Sequence, residues 1–477
     1  MKHIAVVGAG VAGLAVSARL AAKGYRVTVF EQNDFIGGKC STINMGDFKF
    51  DRGPSLFTKP EYLNEVFESC GERMEDFFEF ALYPKHCKYS WSDGTMLEGK
   101  SEDFASNIKK VFGVELDIFL ARNSDKFRNT EEIFLNRSLH RLKSYLFRGI
   151  AKSLLYMPRL NVFQNLHQYH EKNLKSPKLV QLFDRFATYN GSNPYQASAV
   201  LSLISSLEID DGVYFPTKGM GSITDSLYNL GIEKGVEYRF SEKVEKINLG
   251  NSKVQSIETQ KGKYVFDDLV WSNDVKFCYD LLGEAKPKLQ NNLSSSGGVF
   301  YWGLAKEYPQ VDLHNIIFSN NYREEFNKLF GDDFSNDLTV YIHKASSVVQ
   351  GMAPKGKEGW FVMVNLPPRL ISDDEINKIR GFVQSRISKY LGEDISKQII
   401  CEEKMFPQDI ERITGAFAGA LYGQNSNFWH SSLTRHSNFH KSLKNLKFCG
   451  GTVHPGGGVP LSLKSAKIVA DSYEALA

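Results

Sequence analysis

The chain has 477 residues, 42% hydrophobic and 24% charged, the proportions of an ordinary folded protein rather than a disordered, collagenous or coiled-coil one; at about 150 residues per domain it holds roughly three domain-sized units. Its 58 basic and 55 acidic residues leave a formal charge of +3, too near balance to point to nucleic acid. A mean hydropathy of −0.31 and the lack of a long unbroken apolar run argue against a membrane-spanning helix. Six scattered cysteines (Cys40, Cys70, Cys87, Cys278, Cys401, Cys449) without a CxxC pair suit neither a disulfide framework nor a zinc site. They predict a reducing, cytoplasmic home and no metal.

The first predicted element is a buried strand over 2–7. Gly8-Ala9-Gly10-Val11-Ala12-Gly13 follows, then a helical pattern (Leu14, Val16, Ala18, Leu20, Ala21) stopping near Gly24, then a second strand over 26–31. In such a strand–turn–helix–strand frame each glycine has its own task. Gly8 permits the tight turn, Gly10 lets the backbone approach a pyrophosphate, and Gly13 allows helix and strand to pack closely. The helix start offers the N–H groups of Val11, Ala12 and Gly13 to an anion. Glu31, 18 residues beyond Gly13, ends the second strand where a carboxylate accepts from ribose hydroxyls. The glycines also argue against reading 3–18 as a signal peptide.

Asn33 to Lys39 places the pair Gly37-Gly38 and the cation Lys39 just after the ribose-binding strand. The glycines let the chain pass close to a ligand, and Lys39 can reach phosphate or an adjacent ring. A strand and turn over 48–56 come next, with Asp51, Gly53, Pro54, Ser55 and Leu56. These segments resemble the FAD-binding signature of the flavin amine oxidase and carotenoid desaturase superfamily. Gly219-Met220-Gly221 lacks a third glycine, so no second complete dinucleotide fingerprint is present.

Near the C-terminal end, the run Leu446-Lys447-Phe448-Cys449-Gly450-Gly451-Thr452-Val453-His454-Pro455-Gly456-Gly457-Gly458-Val459-Pro460 reads as a strand and a glycine loop before a predicted helix over 461–476. A glycine loop before a helix start again offers unpaired N–H groups. The His-Pro pair and triple glycine resemble the C-terminal signature of the bacterial-type carotenoid desaturases, a family that includes phytoene desaturases and carotenoid isomerases. Similar segments recur in family order at 189–195, 212–221, 236–247, 270–274, 294–296 and 320–323, so the resemblance covers essentially the whole chain. His436 stands where many relatives have proline. Within the family the chain looks most similar to the hydroxycarotenoid 3,4-desaturases.

The resemblance implies an α/β fold: a Rossmann-like FAD-binding domain (1–75, 225–275, 440–477), a mixed-sheet substrate domain (76–110, 190–224, 276–439) and a helical insert (111–189). It implies FAD contacts at Gly8, Gly10, Val11, Ala12, Gly13, Glu31, Gly38, Lys39, Gly53, Pro54, Ser55, Leu56, Val244 (whose backbone meets the adenine in relatives), Asn273, Gly451, Gly458, Val459, Pro460 and Leu461. The insert has no Asp or Glu over 133–170, while Arg137, Arg141, Lys143, Arg148, Lys152 and Arg159 interleave with aromatic and aliphatic residues. A basic amphipathic helix of that kind suits an anionic bilayer surface, although a core-packed helix with a solvated basic face has the same pattern. With a lipid-soluble substrate implied, the expectation is reversible attachment to the inner face of the cell membrane.

The reaction implied is 3,4-desaturation of an acyclic 1-hydroxylated carotenoid, by hydride transfer to the flavin, with a quinone or oxygen taking the electrons. His454 can titrate near neutrality and is one candidate proton acceptor; the competing role is to hold the glycine loop. Asp51 is the other, and it could equally anchor backbone. Desaturation of phytoene or lycopene, or isomerisation, would use the same parts. An amine oxidase would share the FAD segments but place aromatic side chains where the His-Pro-Gly loop stands. A non-catalytic lipid-escort protein would need no flavin, which leaves Glu31 and the glycines without a purpose. Neither GxSxG nor HExxH occurs, so hydrolase and metalloenzyme chemistry has no footing.

Overall fold

The computed structural model describes residues 1–100, 102–141, 145, 150–284 and 292–476. The apolar run at the start forms the strand His3–Val7, paired in parallel with Arg26–Phe30 on one side and Asp268–Trp271 on the other. Leu446–Phe448 and Glu237–Arg239 extend this sheet at its two edges. Three stretches far apart in the chain thus meet in one parallel sheet, which is covered on both faces, as parallel sheets require. The helix Val11–Ala22 is buried on nearly every side, as expected of a helix apolar all round. It packs between Ser222–Glu233 and the C-terminal helix Val459–Ala470. That last helix starts two residues before the predicted 461 and stops six before 476. Pro460 falls in its first turn, where a missing N–H costs nothing.

On the opposite face lies a three-stranded meander, Val244–Gly250, Lys253–Thr259 and Gly262–Val265. Its Val244, Ile247 and Ile257 pack on Val7, Phe30 and Trp271.

The second large sheet has the order Ile399–Met405, Ser296–Leu304, Glu358–Leu366, Val340–His343, His314–Ile317, Lys85–Ser90, Met96–Lys100. Among the described strands of this second sheet only the pair His314–Ile317 and Lys85–Ser90 is parallel. Side chains alternate between its faces. Phe300, Trp302, Trp360 and Val362 pack under the helix Asp373–Leu391, which begins in a Ser372–Glu375 capping box. Val299, Tyr301, Phe361 and Met363 point the other way.

The single amphipathic helix expected after Ile133 is not what forms. The helix Asp117–Leu135 ends there, residues 136–141 are not helical, and the next described α-helix is Ile150–Tyr156. Residues 142–144 and 146–149, with Lys143 and Arg148, lie outside the described residues. Just past the end of the first helix the carbonyl of Arg137 accepts from His454 across the protein. Arg141 is exposed and holds its guanidinium 3.7 Å from the centre of the Phe439 ring.

Candidate functional site

A cavity of about 1050 Å3 runs between the two large sheets. Val7, Phe30 and Trp271, the last residues of three parallel strands, open onto it. Ligands of open α/β sheets sit at that end.

The N-terminal glycine turn forms one wall. Gly8 has φ +101°, which a residue with a Cβ rarely adopts, and its N–H donates to the Phe30 carbonyl at 2.8 Å. Gly10 has open space where a Cβ would stand and lines the cavity. Gly13 lies beneath the turn instead: a Cβ there would run into the Gly8 carbonyl oxygen. Val11 and Ala12 line the cavity, and the first-turn N–H groups of this helix have no acceptor within it. The wall therefore carries partial positive charge.

Glu31 sits at the far end of the turn, buried. Its Oε2 accepts the Ala9 N–H at 2.8 Å, and its Oε1 accepts the backbone and side-chain N–H groups of Asn33 at 2.9 and 2.8 Å. Burial pushes its carboxyl above the usual range, and those N–H groups act against the shift. Val244 reaches the cavity beside it as the first residue of its strand.

Gly38 and Lys39 follow along the wall. Lys39 Nζ donates to the Leu421 carbonyl at 2.7 Å, which leaves two of its three donors for a ligand. Burial lowers its pKa to about 8, with Asp274 opposing. The turn Gly53, Pro54, Ser55, Leu56 and Asn273 line the same region.

The C-terminal loop closes the cavity from the opposite side through Gly451, Gly458, Val459, Pro460 and Leu461. Gly458 has φ +100°. The first helical bond runs from Ser462 N–H to the Gly458 carbonyl, so the N–H groups of Val459 and Leu461 have no partner in the helix. His454 lines the cavity with its ring tied down. Nε2 donates to the Arg137 carbonyl at 2.8 Å, because a carbonyl can only accept. Its own carbonyl accepts from Asn438 Nδ2 at 2.8 Å and Ser465 Oγ at 2.9 Å. Burial lowers the imidazole to about pKa 4, so it is neutral at pH 7. Nδ1 is buried without a hydrogen-bond partner among the described residues.

Asp51 is not brought to the cavity. It accepts the Met220 and Gly221 N–H groups at 2.7 and 3.4 Å, at the start of the helix Ser222–Glu233, where an anion is stabilised. Of the two acid–base candidates only His454 reaches the site.

Sequence reasoning missed a buried polar group in the apolar half of the cavity. Arg185 and Glu208 pair at 3.2 Å, Tyr189 Oη donates to Glu208, and Arg185 Nη1 donates to Tyr189 Oη at 2.8 Å. The signal was available: these two charges bound the uncharged stretch 186–207, and charges flanking a buried stretch must pair. At the cavity mouth Phe428 and Trp429 are about half exposed, and Phe163, 84% exposed, lies against Trp429 with its ring tilted and the centroids 5.2 Å apart. Among the described residues no helix is long and apolar enough to cross a membrane, and no cluster of His, Cys, Asp and Glu could hold a metal.

The flavin-containing amine oxidoreductase family matches residues 11–472. The 1-hydroxycarotenoid 3,4-desaturase of Flavobacterium sp. (strain P99-3) is 41% identical across 99% of both chains. The 4,4'-diaponeurosporene oxygenase of Staphylococcus aureus (strain bovine RF122 / ET3-1) is 29% identical, covering 99% of this chain and 98% of its own. Putrescine oxidase bound to putrescine shares the fold, with a TM-score of 0.66 at 11% identity over 99% of this chain and 98% of that one. The chain belongs to the flavin-containing amine oxidoreductases, in the carotenoid desaturase group whose terminal motifs it carries, and it is an FAD-dependent oxidoreductase.

Proposed function

We propose that the protein introduces a C=C bond into an acyclic 1-hydroxylated carotenoid by 3,4-desaturation. One observation carries this reading. A single cavity has polar glycine loops and Glu31 at one end, an apolar floor on the seven-stranded sheet, and an exposed aromatic mouth. It is built for a dinucleotide and a long apolar substrate side by side.

In this reading Gly8, Gly10 and the N–H groups of Val11 and Ala12 take the pyrophosphate, with Gly13 permitting the turn. Glu31 takes the ribose and the Val244 backbone the adenine. Gly38, Lys39, the 53–56 turn, Asn273, Gly451 and 458–461 surround the flavin. Bound FAD supplies a hydride acceptor. The protein's own part is to align a C–H bond allylic to the polyene and to keep water out. His454 is a positioning residue, since both its ring N–H and its carbonyl hold the glycine loop. The electrons pass to a quinone or oxygen.

The protein works as a cytoplasmic, peripheral membrane protein, drawing its substrate from the inner leaflet through the mouth at Phe163, Phe428 and Trp429. Aromatic side chains of that kind settle at the headgroup boundary. The test compares flavin-free protein with protein reloaded with FAD, in liposomes carrying the 1-hydroxylated carotenoid. A product absorbing at longer wavelength, formed only after reloading, is expected. No product, or equal product without flavin, contradicts the reading.

A further inference from the structure

One row of side chains crosses the floor of the cavity. Strand registers align Met405, Val299, Met363, Tyr341, Ile316 and Tyr89, and residues paired across strands share a face. The first five line the cavity. Four of those five are apolar, as a polyene requires; Tyr341 is not.

Tyr341 Oη lies 2.8 Å from Ser55 Oγ and 2.8 Å from His314 Nδ1. His314 Nε2 is buried with no hydrogen-bond partner among the described residues. An unpaired lone pair there is less costly than an unpaired N–H, so the ring carries its proton on Nδ1 and donates to Tyr341. Tyr341 then donates to Ser55. That leaves the Ser55 O–H without an acceptor among the described residues, and one lone pair of Tyr341 Oη unused. A free donor and a free acceptor therefore stand side by side on an otherwise apolar floor. The nearby Arg185–Glu208 pair is different: with Tyr89 and Tyr189 it occupies both Glu208 oxygens and both Arg185 Nη atoms, and only the buried Arg185 Nε is left without a partner among the described residues. It offers a ligand no free donor and free acceptor side by side. Ser55 and Tyr341 do.

A hydroxyl group matches this pair: its oxygen accepts from Ser55 and its hydrogen goes to Tyr341 Oη. A carbonyl would use only the donor. We propose that Ser55 and Tyr341 anchor the hydroxyl of the substrate and so make the site prefer hydroxylated over unhydroxylated polyenes. This rests on the function proposed above, and the position agrees with it. A hydroxyl on carbon 1 lies about 4 Å from carbon 3 in an extended chain with bonds of about 1.5 Å. The anchor must therefore stand next to the flavin, and Ser55 belongs to the turn assigned to the flavin wall.

The experiment titrates FAD-loaded protein with the 1-hydroxylated carotenoid and with the same carotenoid lacking the hydroxyl, in detergent micelles, following tryptophan fluorescence. Wild-type protein, Tyr341→Phe and Ser55→Ala are compared, with flavin absorbance per protein verifying that each is folded and loaded. The wild type is expected to bind the hydroxylated form about tenfold more tightly, a difference of about 1.4 kcal/mol, which is the net worth of a hydrogen bond. Either substitution should bring the ratio close to one. Should Tyr341→Phe fail to fold, Ser55→Ala carries the comparison. Equal binding of both carotenoids by the wild type, or a preference that survives substitution, overturns the anchor. Turnover is read separately: preferential binding without product removes the desaturase reading and leaves the anchor standing.

Discussion

Glu31→Gln separates what this carboxylate does for the fold from what it does for FAD. The buried side chain receives three N–H donors, from Ala9 and twice from Asn33, and an amide of the same shape cannot accept all three. The less costly orientation turns the new NH2 toward Ala9. One buried N–H then loses its acceptor, at about 1–3 kcal/mol, and the two remaining bonds weaken from charge-assisted to neutral by about 1 kcal/mol each. Part of this is offset, because burial already disfavours the charged form of Glu31. A net loss of about 2–3 kcal/mol is expected in denaturant unfolding, with or without flavin. The ribose bond adds a separate effect. Replacing a charged acceptor by a neutral one costs about 1 kcal/mol, roughly fivefold in FAD affinity. Titration of the apoprotein with FAD, followed by flavin fluorescence, measures it. Lowered stability with unchanged FAD affinity would refute the ribose assignment and leave Glu31 a structural residue.

Gly13→Ala should cost more than about 3 kcal/mol, since the added methyl meets backbone that cannot move aside. The variant is expected to purify without flavin; a full visible flavin spectrum would contradict the packing argument. Stability should fall on acidification between about pH 6.5 and 4. His86, His436 and His454 are each held near pKa 4 by burial, so the unfolded chain binds protons there that the folded one does not. Each histidine contributes about 1.4 kcal/mol per pH unit across that window, with its full stabilisation present above 6.5. Urea unfolding at pH 7 and pH 5 reads this, and equal stabilities would count against it. Phe163→Ser with Trp429→Ser removes two aromatics from the mouth, each worth about 1.5–3 kcal/mol if buried in lipid. Flotation with anionic liposomes should weaken more than tenfold; undiminished flotation would place the membrane contact elsewhere.

What could be read in the sequence was what short spacing controls. Gly8, Gly10, Gly13 and Glu31 lie within one strand–helix–strand unit, so their geometry follows from local backbone rules, and the glycine loop before the C-terminal helix is legible in the same way. The partners of Asp51 were not, because Met220 and Gly221 lie some 170 positions away. Tyr341 gave no signal either. Its meaning comes from the register of its strand against Ile316 and from Ser55, 286 positions earlier. The expected basic helix failed for a related reason. Its charge pattern was real, but the chain leaves the helix after Leu135, and Arg137 and Arg141 make contacts with His454 and Phe439, some 300 positions away, that the pattern does not announce.

The most direct test of the account gives FAD-loaded protein in liposomes phytoene, lycopene or a 1-hydroxylated acyclic carotenoid, each separately, and follows products by chromatography and absorption. The account predicts a product with a longer conjugated system from the hydroxylated carotenoid alone. Conversion of phytoene or lycopene at a comparable rate would contradict it, moving the enzyme to an unhydroxylated substrate.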